Sequence, residues 1–75
     1  MKDRSIAAII PAYNEELAIG TIVLKSKDHV DEVYVVDDGS SDGTARVAEQ
    51  AGAKVFHLTS NLGKAKAVLT AFSQI

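Results

Sequence analysis

Val33-Tyr34-Val35-Val36-Asp37-Asp38-Gly39-Ser40-Ser41-Asp42-Gly43-Thr44 runs from four apolar residues into two carboxylates, a polar turn and the start of a helical pattern. An unbroken apolar run of β-branched and aromatic residues is the mark of a strand buried on both faces. Gly39 to Gly43 are all turn formers. The helical pattern that opens at Thr44 places Val47, Ala48 and Ala51 inward, with Gly52 as the residue that closes the helix. Strand, acidic turn and helix in that order set Asp37 and Asp38 at the carboxyl end of a sheet strand, where open α/β sheets bind ligands. Two adjacent carboxylates repel, so folding alone gives no reason to put them there. They need donors: backbone N–H groups, a metal, or the N–H and hydroxyl groups of a ligand.

Outward from this stretch the pattern repeats. On the N-terminal side, the strand begins near Asp31. Before it, Ser5 to Ile10 is a short Ile-rich run of strand length, with Pro11 expected just past its end. A helix is expected from Glu15, with Asn14 as its N-cap and Ile19, Ile22, Val23 and Ser26 on its inner face. Glu15 and Glu16 in its first turn and Lys25 and Lys27 near its end suit the helix dipole. Gly20 inside it costs about 1 kcal/mol relative to Ala. On the C-terminal side, Lys54 to Leu58 is a third strand and Thr59-Ser60-Asn61 a polar turn. Ala65, Val68, Leu69 and Phe72 mark the face of a final helix. The order βαβαβα implies a single α/β domain over residues 1–75, Rossmann-like, with a parallel sheet in a three-layer arrangement.

Composition narrows the function classes. The chain has 75 residues, 47% of them hydrophobic and only 5% aromatic, so the core is aliphatic. Eight basic against ten acidic residues give a net charge of −2, which argues against a nucleic-acid partner. There is no cysteine for a disulfide or a thiolate metal site, which fits a cytoplasmic protein. No apolar run reaches the length of a membrane-spanning helix. With strand order 3-2-1 the first strand is an edge, and an uncovered apolar edge invites pairing with another chain. A homo-oligomer through that edge is therefore expected. The end at Ile75, on the apolar face of the last helix, is expected to cut a larger fold short.

Three loops follow strands and precede helices: Pro11-Ala12-Tyr13-Asn14-Glu15, Asp37 to Gly43, and Asn61-Leu62-Gly63-Lys64. In a parallel sheet they converge on one edge. An aromatic face, several carboxylates, one lysine and three helix N-termini suit a nucleotide. Asn14, Asp42 and Asn61 read equally well as caps and turn formers, whereas the Asp37–Asp38 pair exceeds what a cap needs. Asp38 to Glu49 also has the spacing of an EF-hand calcium loop, with Gly43 sixth and Glu49 twelfth. That loop should follow a helix, and here it follows a strand; Arg46 at the ninth position is a further misfit. There is no dinucleotide-binding or Walker A pattern, and His29 and His57 stand isolated, most simply structural.

Ile10 to Glu16, Val36 to Thr44 and Asn61 to Lys64, in this order, resemble the N-terminal half of family 2 glycosyltransferases of the GT-A fold, the dolichyl-phosphate mannosyltransferase-like members above all. The resemblance covers essentially the whole chain. It implies that Pro11, Ala12 and Tyr13 line the nucleotide base of a nucleotide-diphosphate sugar, with Glu15 nearby. It implies that Asp38, with Asp37, binds base or ribose and that Lys64 faces the diphosphate. Ala65 stands where the family usually has a second glycine, and no Asp-x-Asp metal motif occurs. A Mg²⁺ or Mn²⁺ ion, the catalytic base and the acceptor site are then expected only in the complete family enzyme, and the 75-residue chain alone is expected to be inactive. The alternative is a non-catalytic nucleotide-binding or assembly subunit.

Overall fold

The computed structural model describes residues 5–58. Within them the elements are β1 (Ala7–Ala12), α1 (Glu16–Lys27), β2 (Glu32–Asp38), α2 (Thr44–Ala51) and β3 (Lys54–Leu58). The expected final helix, the turn before it and Lys64 lie outside the described residues.

β2 is the centre of a parallel sheet of order β1-β2-β3. Its apolar run is buried from Val33 through Val36, as expected of a strand covered on both faces. Full burial of one such valine contributes about 1.5–3 kcal/mol. Alternation along the strand sends Val33 and Val35 to the face carrying both described helices, where they meet Ile19 and Val23 of α1 and Ala48 of α2. Tyr34 and Val36 point to the opposite face. There Val36 packs with Ile9, Phe56 and Leu58, and the Tyr34 ring stacks on Phe56 with centroids 5.8 Å apart.

That both described helices share one face follows from the strand order. Successive crossovers of one hand, moving in one direction across the sheet, must lay their helices on the same side. A second helical layer needs the direction to reverse, and any helix that would supply it falls beyond residue 58.

Three local expectations change. Pro11 lies inside β1, paired with Val36, instead of just past the strand. Among the described residues β1 is an edge strand, and an edge tolerates a proline whose missing N–H faces away from the ladder. Asn14 is not the N-cap of α1: it adopts φ 49°, and Glu15 occupies the cap position without a side-chain cap bond. Ile22 sits at the rim and is exposed, so Ile19 and Val23 alone are the fully buried anchors of α1. Leu17, on another side of the helix, is 100% exposed.

Two glycines are explained by geometry. A Cβ on Gly20 would stand 3.1 Å from Val47 Cγ1, so its helix-weakening effect accompanies the close approach of α1 to α2. Gly52 has φ 107° and ends α2, with the Ala53 amide donating back to the Ala48 carbonyl at 3.0 Å.

Candidate functional site

The register of the sheet brings the sequence-singled residues together. Ala12 lies beside Asp37 and Pro11 beside Val36, so the Pro-Ala-Tyr loop and the Asp-Asp pair share the carboxyl edge. Ala12 is buried, Tyr13 is 42% exposed and Glu15 is half-buried. Asp37 and Asp38 are both buried, Asp38 at 2% exposure. Strand alternation puts these two carboxylates on opposite faces of the sheet, which relieves the repulsion their adjacency suggests. Asp37 turns to the helix-bearing side, where its Oδ1 accepts from the Ser40 amide at 3.1 Å. Asp38 turns to the side of Val36, with Leu58 as its neighbour in β3.

The loops β1–α1 and β2–α2 are laced together. The Asn14 amide donates to Ser40 Oγ and Asn14 Oδ1 accepts from the Ser41 amide, both at 2.8 Å. The Glu15 amide donates to Thr44 Oγ1 at 2.8 Å. The helix ends then exchange carboxylates. Glu16 of α1 accepts from the Gly43 amide at 2.8 Å, while Asp42, just before α2, accepts from the Glu16 amide at 3.3 Å and from the Thr44 amide at 3.0 Å. The Thr44 hydroxyl also donates to Asp42, and this bond is the chief reason the Asp42 carboxyl is held below the ordinary aspartate range.

This exchange settles the roles of Asn14 and Asp42 as loop ties. It also alters the anion chemistry expected of the helix ends. The Glu16 amide of α1 and the Gly43 and Thr44 amides at the start of α2 already donate to carboxylates, and a phosphate placed at those amides would meet like charge. A cavity of about 490 Å³ beside the first turn of α1 is lined by Glu15, Glu16 and Asp42 among others, and by none of Pro11, Tyr13, Asp37 or Asp38. The calcium-loop spacing fails in three dimensions, because Asp38 ends a strand. Among the described residues no three His, Cys, Asp or Glu side chains converge as a metal cluster.

One neighbour of this site belongs to none of the sequence motifs. His57 is the register partner of Asp37, its Nδ1 3.8 Å from Asp37 Oδ2. Counting both strands to their carboxyl ends would have aligned them; a search for ligand spacing along the chain could not.

An open parallel sheet with carboxylates at the carboxyl end of its central strand defines a Rossmann-like α/β domain. The glycosyl transferase family 2 profile matches residues 7–75, and the chain belongs to that family. Protein RfbJ of Shigella flexneri is 42% identical over 73 residues, covering 95% of this chain and 56% of that protein. The UDP-N-acetylglucosamine–dolichyl-phosphate N-acetylglucosaminyltransferase of Methanococcus voltae is 43% identical over 51 residues, 67% of this chain and 20% of that protein. Among solved structures, glucosyl-3-phosphoglycerate synthase from Mycobacterium tuberculosis, in complex with Mn²⁺, uridine-diphosphate-glucose and phosphoglyceric acid, superposes with TM-score 0.82 at 31% identity. The match covers 97% of this chain and 30% of that one. The chain thus spans just over half of the first relative and a third or less of the other two.

Proposed function

We propose that these residues form the donor-nucleotide part of a glycosyltransferase that moves a sugar from a nucleoside diphosphate. The observation that carries this is the register: Ala12 beside Asp37 joins an exposed aromatic, Tyr13, to a buried carboxylate pair at the carboxyl edge of a parallel sheet. In this assignment Pro11, Ala12 and Tyr13 line the base, with Glu15 nearby as a further nucleotide-binding residue. Asp38, with Asp37, accepts from base or ribose, and Lys64 faces the diphosphate. The family supports a nucleotide-sugar donor over a purely structural subunit. A Mg²⁺ or Mn²⁺ ion is expected in the complete enzyme, in keeping with the Mn²⁺ complex of glucosyl-3-phosphoglycerate synthase. The net charge of −2 goes with a small-molecule rather than a nucleic-acid partner.

Calorimetric titration with UDP and GDP tests the assignment. Asp38→Asn should weaken the preferred nucleotide roughly ten- to a hundredfold, the loss of one charge-assisted hydrogen bond. Asp28→Asn, at the other end of α1, should leave affinity unchanged. Binding that is absent in the wild-type chain, or indifferent to Asp38, overturns the assignment.

The edge position of β1 among the described residues supports self-association through that strand as a second property of the chain. A two-fold pair would join the β1 strands antiparallel. Ile6 is exposed at the start of this edge, so Ile6→Lys should shift a sedimentation-equilibrium dimer to monomer. A wild-type monomer at tens of micromolar would exclude it.

A further inference from the structure

We infer that His57 is a further binding residue of this site, reading a ribose hydroxyl of the nucleotide together with Asp37; the inference rests on the donor-site assignment above. Ala12, Asp37 and His57 are register partners in a row across all three strands, at the carboxyl edge. Asp37 is the fixed member of the pair. Its side chain is 8% exposed, and its Oδ1 is held by the Ser40 amide at 3.1 Å. His57 is the accessible member, with 62% of its side chain exposed. Nδ1 of His57 stands 3.8 Å from Asp37 Oδ2, too far for a direct hydrogen bond. An imidazole N–H and a carboxylate oxygen held side by side at that gap are the complement of one hydroxyl, which accepts from the first and donates to the second. Ala12, assigned to the base, stands one strand from Asp37 and two from His57, so a ribose carried by that base falls within reach of the pair. A donor and an acceptor offered together favour a neutral hydroxyl over a phosphate, which the Asp37 carboxylate would repel.

UDP, 2′,3′-dideoxy-UDP and UDP-glucose, titrated calorimetrically into the wild-type chain and its variants, separate the possibilities. His57→Ala should weaken UDP roughly three- to tenfold, the loss of one neutral hydrogen bond, and leave 2′,3′-dideoxy-UDP binding unchanged. His57→Asn, which keeps a donor at the Nδ1 position, should recover most of the UDP affinity. Equal losses for both nucleotides would show that His57 acts through the fold and overturn the inference, as would unchanged UDP binding in His57→Ala. A loss confined to UDP-glucose would place the hydroxyl on the sugar and equally overturn the ribose assignment. Failure of wild-type protein to bind UDP at all would instead overturn the donor-site reading, and this inference with it.

Discussion

Replacing Thr44 by valine isolates what the laced loops contribute to stability. Thr44 is fully buried, and valine has nearly its shape, so packing is kept while the hydroxyl is lost. Two interactions go with it. The Glu15 amide loses the acceptor 2.8 Å away, and Asp42 loses its hydroxyl donor. An amide left without a partner in a buried site costs about 1–3 kcal/mol. The Glu15 bond is only partly buried, so the lower part of that range, about 1–2 kcal/mol, is expected. In a domain this small each kcal/mol lowers the melting temperature by about 4–8 °C. Thr44→Ser is the companion variant: it keeps the hydroxyl and removes one methyl group, a loss near 0.8 kcal/mol, about one buried CH₂. Urea unfolding followed by circular dichroism measures both, with an unchanged m-value expected. A second readout is specific to the hydroxyl. In Thr44→Val the Asp42 carboxyl should titrate closer to the ordinary aspartate value of 3.8, since the Thr44 hydroxyl is the largest cause of its depression. A valine variant as stable as wild type, with the Asp42 titration unmoved, would refute the role assigned to these ties.

Further outcomes follow from the same geometry. Gly52→Ala should cost about 1–2 kcal/mol in thermal unfolding, because φ 107° strains any residue with a Cβ; the nearby Lys27 ammonium can swing aside. The Asp42 carboxyl titrates lower in the folded chain than in the unfolded one, so its contribution to stability is present above pH 3.8 and lost as pH falls through the lower folded value. Asp42→Asn should therefore flatten the stability–pH curve in that acid range, as measured by urea midpoints across pH. Lys54 donates to Glu32 at 3.2 Å and is the main cause holding the Glu32 carboxyl below its ordinary 4.5, with the Tyr34 hydroxyl second. In Lys54→Gln an NMR titration should show Glu32 rising toward 4.5, and a resonance that does not move would discount the pair.

Much of the fold was legible because it rests on local signals. The apolar run before Asp37, the periodic Val47, Ala48 and Ala51, and Gly52 at the end of α2 are each set by neighbours in sequence, and α2 and β3 fall where those signals place them. What escaped depends on partners far along the chain. Pro11 joins β1 because that strand is an edge among the described residues, a property of the sheet and not of its neighbours in sequence. Asn14 has the composition of a cap, yet its side chain serves Ser41 across the loop, a partner no local rule names. Both described helices share a face because the strand order never reverses within the described residues. Asp37 and His57 meet through register, which cannot be read until both strand ends are known. The candidate site was legible as a set of loops and illegible as a set of pairs.

The exchanged carboxylates at the two helix ends have a mechanical meaning. Since Glu16 grips the turn before α2 and Asp42 grips the start of α1, neither loop can swing outward without pulling the other. The aromatic side of the edge at Tyr13 and the acidic side at Asp38 therefore behave as a single jaw. The ordering entropy of that jaw is spent when the chain folds, so an incoming molecule meets a surface already set. A change of side chain at residue 16 removes the bond to the Gly43 amide, and one at residue 42 removes the bond to the Glu16 amide, so either change loosens the tie between the two loops.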